Sequence, residues 1–173
     1  SHLCHGLAWD DTAWEFGEPA ANSKSASFRA RYTLNKNNPR FPAFPFANSL
    51  MVEYTLLEDR VRVSYEVQNH DEKPLGFGFA LHPFWNVIGP KNTVFIRVPL
   101  PWHMDAEQML PSGKLDKITR DSPWSLLEFK PVSTLRLDDV YFGATPKSNV
   151  DVRYDSIGLE LRQRASRDFT HVV

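Results

Sequence analysis

The feature that most constrains the fold is a two-residue alternation of apolar and polar side chains. It is clearest in Arg60–Asn69, where Val61, Val63, Tyr65 and Val67 alternate with polar residues. Such a period gives a strand one apolar face and one wet face. No segment keeps the i, i+3, i+4, i+7 apolar spacing of a core helix for long. Strands must therefore carry the core.

Further strands and turns follow from the same pattern. We predict a strand at Leu50–Leu57, joined to Arg60–Asn69 by a hairpin turn at Glu58-Asp59. The remaining strand predictions are Ser25–Leu34, Thr93–Val98, Val150–Tyr154 and Gly158–Arg164. Turn-rich breaks are predicted at Asn35–Pro45, at Gly89–Asn92 and at Leu110-Pro111-Ser112-Gly113. Many short strands separated by turns indicate an all-β sandwich or barrel.

Length and charge exclude several classes of protein. The 173 residues are 42% hydrophobic, which is enough for one sizeable core, so we predict a single domain over residues 1–173. Lysine and arginine total 20 against 21 acidic residues, and a net charge of -1 gives no field to attract nucleic acid or an anionic membrane. No apolar run is long enough for a membrane helix. Because Cys4 is the single cysteine, a reducing compartment is favoured, and we predict a cytoplasmic location.

The densest signal for chemistry is the segment Gly76–Asn86, which reads as a strand of small and aromatic residues that delivers His82. Pro83 keeps His82 out of helical geometry. An imidazole can donate or accept a proton near neutral pH, as general acid–base catalysis requires. A histidine bonded to a backbone carbonyl at a strand end is an equally good interpretation of this segment alone.

Other candidates are weaker. In Cys4-His5-Gly6 the glycine permits a tight turn and close approach of a ligand, although His5 is more simply a turn residue. Asp138 and Asp139 precede an apolar strand, and adjacent residues of a strand face opposite ways, so one of them at most faces a given pocket. Trp85 and Trp102 are candidate platforms for a sugar ring. No ligand spacing supports a metal site.

Taken in order, four motifs resemble those of the aldose 1-epimerase (galactose mutarotase-like) family, which includes relatives acting on hexose 6-phosphates. The motifs are His5-Gly6-Leu7, Phe77–Phe84, Leu110–Gly113 and Leu137–Tyr141. The resemblance implies a large antiparallel β-sandwich, the galactose mutarotase-like supersandwich, present here in part. It implies an isomerase in the full-length protein that needs no cofactor and interconverts the α and β anomers of an aldohexose by opening the ring.

The resemblance also implies roles for single residues. His82 matches the general acid that protonates the ring oxygen, His5 matches a histidine that binds the sugar nearby, and Asp138 matches the aspartate that holds hydroxyls. Asp138 is preferred to Asp139 because the family's aspartate stands three residues before an aromatic, the place of Tyr141. Trp85 is added as a sugar-binding aromatic.

Two departures from the family pattern leave alternatives open. The family's general base is a glutamate that follows a segment like Phe169–Val173, and its N-terminal strands precede His5, so we expect the chain to be truncated at both ends. Trp9, Asp10 and Asp11 stand where relatives that act on hexose 6-phosphates often have an arginine, which disfavours a phosphorylated substrate. The alternative is a non-catalytic carbohydrate-binding or regulatory domain that has lost the base. The preferred sugar and the oligomeric state are not predicted.

Overall fold

The computed structural model describes residues 6–8, 11–107, 110–136 and 138–173. It divides into two compact units, residues 1–78 and 79–173. This grouping does not decide the expectation of a single domain, which stays a prediction. In the described ranges, no helix is long and apolar enough to cross a membrane.

The first unit is one antiparallel sheet. Its strands are β1 (Trp14–Phe16), β2 (Ala20–Ala21), β3 (Ala26–Leu34), β4 (Asn48–Leu56) and β5 (Val61–Asn69). The order is β1-β3-β4-β5, and β2 also pairs with β3. A 3₁₀ turn at Phe41–Ala43 lies in the connection between β3 and β4.

The alternation read from the sequence sorts the side chains of this sheet onto two faces. Tyr32 lies opposite both Trp14 and Leu50, which places three large apolar residues in one cross-strand row. The rings of Trp14 and Tyr32 are in contact, with centroids 5.5 Å apart. The buried positions in this unit include Ala30, Tyr32, Leu34 and Val52.

The second unit contains two four-stranded antiparallel sheets. Its strands are β6 (Val94–Arg97), β7 (Trp102–Glu107), β8 (Leu110–Lys117), β9 (Lys130–Pro131), β10 (Val140–Phe142), β11 (Val150–Tyr154), β12 (Leu159–Gln163) and β13 (His171–Val172). One sheet has the order β13-β10-β7-β8 and the other β12-β11-β6-β9. Two 3₁₀ turns, at Lys91–Thr93 and Val132–Thr134, complete the unit's described elements.

Two apolar clusters form the core of the second unit. The larger contains Val98, Leu100, Ile118, Leu126 and Tyr141, with Trp124 packed against it. The smaller contains Val94, Val152 and Tyr154. The strands are short, so each contributes only a few buried side chains. Burial of the apolar side chains in these two clusters stabilises the unit.

The structure confirms the predicted strands that carry clear alternation. The predictions at Arg60–Asn69, Leu50–Leu57 and Ser25–Leu34 correspond to β5, β4 and β3, and the predicted hairpin turn closes with Leu57 N donating to Arg60 O at 2.8 Å. Those at Thr93–Val98, Val150–Tyr154 and Gly158–Arg164 correspond to β6, β11 and β12. The all-β fold class is therefore confirmed.

Two local predictions were wrong. Leu110–Gly113 is not a turn but the beginning of β8, an edge strand, where a proline costs no ladder hydrogen bond on the open side. A register shift between Met104 and Ala106 and a positive φ of 84° at Gly113 accommodate these residues in the strand. Conversely, residues 74–88 lie in no helix or strand, so His82 is not delivered by a strand. The prolines and glycines of that segment disfavour a hydrogen-bonded ladder.

Candidate functional site

The segment that carries His82 is exposed and aromatic. The imidazole of His82 is stacked on the Phe84 ring, with centroids 4.7 Å apart. Trp85 follows, and it is 48% exposed. The segment is tied to β11 immediately afterwards, since the Tyr154 hydroxyl donates to the Asn86 carbonyl at 3.0 Å. An exposed histidine and tryptophan beside an anchored backbone can meet a ligand from solvent.

The same segment contacts the closing part of the chain. The ring of Phe79, three residues before His82, packs edge-on against Phe169 with centroids 6.1 Å apart. Two residues beyond Phe169, the ring of His171 contacts Phe142 at 4.9 Å. Phe142 ends β10, the strand that Asp138 and Asp139 precede. The stretch Phe169–Val172 therefore lies against both segments that supply predicted site residues within the second unit.

The two adjacent aspartates have different surroundings. Asp138 is exposed, whereas the carboxylate of Asp139 lies 2.7 Å from His103 Nε2. The short distance to a carboxylate oxygen requires a proton on Nε2, so this nitrogen donates. The difference follows from the two-residue period of β10. Asp139 shares the side of Tyr141, which lies opposite His103 in the register, and Asp138 shares the side of Val140 and Phe142.

A row of aromatic and imidazole rings crosses the sheet on the Asp138 side. Phe142 lies opposite Trp102 on one neighbouring strand and opposite His171 on the other. Directly opposed residues in antiparallel strands share a face, so Trp102, Phe142 and His171 lie side by side. Thr170 Oγ1 lies 2.8 Å from His171 Nδ1 and fixes the imidazole. Flat apolar rings suit a sugar, which has apolar C–H faces.

The opposite face is buried and holds His103 in place. The His103 ring stacks on Trp124 with centroids 4.3 Å apart and meets Tyr141 edge-on at 6.4 Å. The Tyr141 hydroxyl donates to the Trp124 carbonyl at 2.7 Å. Burial, followed by the nearby Asp139 carboxylate, raises the pKa of Tyr141 to about 12. The phenol therefore remains protonated and donating throughout the physiological range.

His5 lies outside the described residues, so its sequence-based role stays a prediction. In the described segment after it, Asp11 accepts hydrogen bonds from Ala13 N at 3.0 Å and from the Tyr32 hydroxyl at 2.9 Å. Arg40 Nε lies 3.4 Å from Asp11, and Arg40 Nη1 donates to the Leu7 carbonyl at 2.7 Å. An arginine from elsewhere in the chain thus reaches the stretch that follows Gly6. Here an aspartate neutralises it.

Sequence reasoning missed His103 and His171. His103 lies in no motif, and His171 lies in the segment Phe169–Val173 but was given no role there. The contacts of each depend on which residue stands opposite it on another strand. The alternating pattern of β10 was the available signal, because it assigns Asp138 and Asp139 to opposite faces before any partner is known. Two shallow cavities, of about 270 Å³ at Arg120, Ser125, Glu128 and Lys130 and about 460 Å³ beside Asn35–Asn37, contain none of the predicted site residues.

The comparisons with known proteins agree with this architecture. The chain resembles the crystal structure of a galactose mutarotase-like protein from Clostridium acetobutylicum, with a TM-score of 0.72 and 11% sequence identity. The match covers 91% of this chain and 50% of the other, so the chain spans half the length of that protein. No curated protein matches the sequence. At this identity the likeness shows the fold, which is a galactose mutarotase-like β-sandwich.

The family follows from the sequence. The aldose 1-epimerase family matches residues 1–172, which is nearly the whole chain. The chain therefore belongs to the aldose 1-epimerase family, as the order of its motifs indicated.

Proposed function

We propose that this chain binds an aldohexose and serves the interconversion of its α and β anomers. The family match supports a sugar as the small-molecule partner. The observation that carries the proposal is the arrangement around Phe169–Val172, which contacts the His82 segment through Phe79 and the Asp138 strand through Phe142. Because the chain spans half of the solved relative, the activity is proposed and the fold is established.

Opening the ring requires an acid and a base that act together. An acid protonates the ring oxygen while a base removes the proton of the anomeric hydroxyl, and the C1–O5 bond breaks to give the open aldehyde. Rotation about the C1–C2 bond and reclosure then give the other anomer. His82 serves as the acid, since its imidazole is exposed and stacks on the Phe84 ring. The family pattern assigns the base to a glutamate following a segment like Phe169–Val173.

Sugar binding is proposed for three further residues. The exposed Asp138 carboxylate can accept hydrogen bonds from two hydroxyls, and charged acceptors make the stronger bonds. Trp85, 48% exposed, offers a ring on which a sugar face can pack. His5 keeps the sugar-binding role that the family pattern gives it. Neutralisation of Arg40 by Asp11 supports a free hexose over a hexose 6-phosphate.

Substitution of His82 tests the catalytic role. Polarimetry follows the relaxation of freshly dissolved α-D-glucose and α-D-galactose to the anomeric equilibrium. The acceleration over the buffer rate should fall by about 10²- to 10⁴-fold in His82→Asn, because a general acid contributes about that factor. Sugar affinity, measured by saturation-transfer NMR titration, should change little. His70→Asn is the matched control, since His70 bonds Ser49 in the first unit. It should leave both quantities unchanged.

The same measurements separate the enzyme from a binding module. If the wild-type chain binds sugar without accelerating mutarotation, and Trp85→Ala weakens binding about tenfold while His82→Asn does not, the chain acts as a carbohydrate-binding domain. Failure of the wild-type chain to bind glucose, galactose or their 6-phosphates would refute the proposal in both forms.

A further inference from the structure

We propose that His103 is a positioning residue for Asp138. By holding Asp139, it fixes the backbone that presents Asp138 at the sugar-binding face. The inference rests on the proposed function, since it concerns the same site. It assigns separate tasks to the two adjacent carboxylates, one bound to the protein and one reserved for the ligand.

The bond between His103 and Asp139 is short and sheltered. Nε2 and Oδ1 are 2.7 Å apart, and the two side chains are 10% and 23% exposed. A hydrogen bond to a carboxylate is stronger than one between neutral groups, and shielding from water strengthens it further. The partners are 36 residues apart in sequence, so the bond ties two strands together at the point where β10 begins.

His103 is itself held by the rings of Trp124 and Tyr141. Trp124 stacks on one face of the imidazole, Tyr141 packs against its edge, and the Tyr141 hydroxyl fixes the Trp124 backbone. Tyr141 belongs to the larger core cluster of the second unit. The rigidity of a packed core is thus transmitted through one imidazole to the Asp139 carboxylate.

Asp138 has no comparable support of its own. It is exposed, and within the described part of the chain it has no hydrogen-bond or ion-pair partner. A carboxylate that is to accept sugar hydroxyls needs free acceptor oxygens, so its direction must come from its backbone. The neighbouring Asp139 bond supplies that constraint. Asp139, with one oxygen committed to His103, is the poorer sugar ligand of the two.

The first test measures backbone order without any sugar. The ¹⁵N order parameters of the Asp138 and Asp139 amides should be near 0.85 in the wild-type chain and below about 0.6 in His103→Leu, which keeps apolar contact with Trp124 but removes the donor. His103→Gln keeps an N–H donor and should restore order. Asp139→Ala should loosen the same amides, and it gives the answer if His103→Leu fails to fold. Val152→Ala, in the other sheet, is the control for lost stability.

The second test measures affinity for D-galactose and D-glucose by NMR titration. Asp138→Asn should weaken binding about tenfold, because a charge-assisted hydrogen bond is lost. His103→Leu should weaken binding by a similar factor, and the double variant should be no weaker than Asp138→Asn. A role in stability alone predicts that the two losses multiply.

Each outcome decides one claim. Order parameters unchanged in His103→Leu, or multiplied losses of affinity in the double variant, would overturn the positioning role. A wild-type chain that binds no sugar overturns the proposed function instead, and the order parameters then still decide whether His103 fixes the Asp138 backbone. Loss of order with non-multiplied loss of affinity supports the inference.

Discussion

Asp151 shows how a single side chain can hold a sheet together. Its side chain is 0% exposed and lies opposite Arg97 on one neighbouring strand and Arg162 on the other. Arg97 Nη2 donates to Oδ2 at 2.6 Å, and Arg162 Nε donates to Oδ1 at 2.9 Å. Burial alone raises the pKa of Asp151, but the hydrogen bonds from Arg97 and Arg162 outweigh it and lower the pKa below its usual value.

The stability of the second unit should therefore fall on acidification. A carboxyl whose pKa is lower in the folded state stabilises the fold above its ordinary pKa of about 4 and loses this contribution as the pH falls below that value. Urea midpoints from pH 3 to pH 7 should drop more steeply at the acid end in the wild-type chain than in Asp151→Asn. Equal slopes in the two proteins would contradict this account. Asp151→Leu, which strands both guanidinium groups, should cost about 3–5 kcal/mol at pH 7.

Some residues of the candidate site could be predicted from the sequence, and others could not. Asp138, Asp139 and His82 were candidates from local sequence, because carboxylates before an apolar strand and a histidine before proline are visible without a fold. The choice of Asp138 over Asp139 came from the resemblance to the aldose 1-epimerase family, and the roles of Asp138 and His82 stay predictions. His103 was not a candidate, because its significance comes from Asp139, 36 residues away in sequence. The sequence around a single histidine in a strand does not show which residue lies opposite it on the neighbouring strand. Local patterns identify candidates, and register decides which of them are paired.

At the scale of elements, the end of β10 depends on a glycine. Gly143 has a positive φ of 98°, and its amide donates to the Thr170 carbonyl at 3.0 Å, which brings the chain beside β13. A Cβ at this position would lie 2.9 Å from Pro101 Cγ and 3.3 Å from Trp102 Cδ1. Both the backbone angle and the lack of space therefore require glycine next to the row of rings.

Substitution of this glycine has a matched control in the same unit. Gly143→Ala should lower the free energy of unfolding by about 1–2 kcal/mol, because alanine disfavours this backbone conformation. Displacement of Pro101 and Trp102 should lower it further. Gly158→Ala, where φ is 64° and nothing lies within 4 Å of the added Cβ, should lose only the conformational part. Urea unfolding of both variants measures the difference. Equal losses would mean that Pro101 and Trp102 yield without cost.

Strands with a clear alternation could be predicted from the sequence, whereas a strand that depends on its partner could not. β3, β4 and β5 alternate cleanly because one face is apolar, so the sequence displays their period. β8 contains Pro111, Ser112 and Gly113, which are typical of turns, and becomes a strand only because β7 offers it a partner. Its edge position and register shift tolerate residues that a central strand would not. Pairing of this kind is a property of two segments together.

For the molecule as a whole, surface charge and exposed apolar area together affect whether copies of the protein associate. Leu56 and Val61 lie opposite each other at the end of the β4–β5 hairpin and are 56% and 61% exposed, with Tyr54 44% exposed nearby. The net charge is only -1, and the isoelectric point is about 6.6. Little electrostatic repulsion therefore opposes contact between such apolar surfaces near neutral pH.

A charge placed on this hairpin should reduce self-association. Val61→Glu should lower the binding of the dye anilinonaphthalene sulfonate and the apparent size by light scattering near pH 6.6, with a stability change within about 0.5 kcal/mol. Gln68→Glu adds the same charge on an exposed polar position of the same strand and is the matched control. An equal effect of both variants would show that net charge alone, and not the apolar surface, governs association.

The connectivity of the sheets also sets an order of events during folding. β4 and β5 are joined by a tight turn closed between Leu57 and Arg60, whereas Arg97 of β6 meets Asp151 of β11 across 54 residues of chain. Closing a long loop costs more entropy than closing a short one, so nearby strands pair sooner. The hairpin of the first unit can therefore form while the second unit is still searching for its register. We therefore expect the Arg97–Asp151 contact, which completes the β12-β11-β6 order, to form later than the Arg162–Asp151 contact, whose partners are only 11 residues apart.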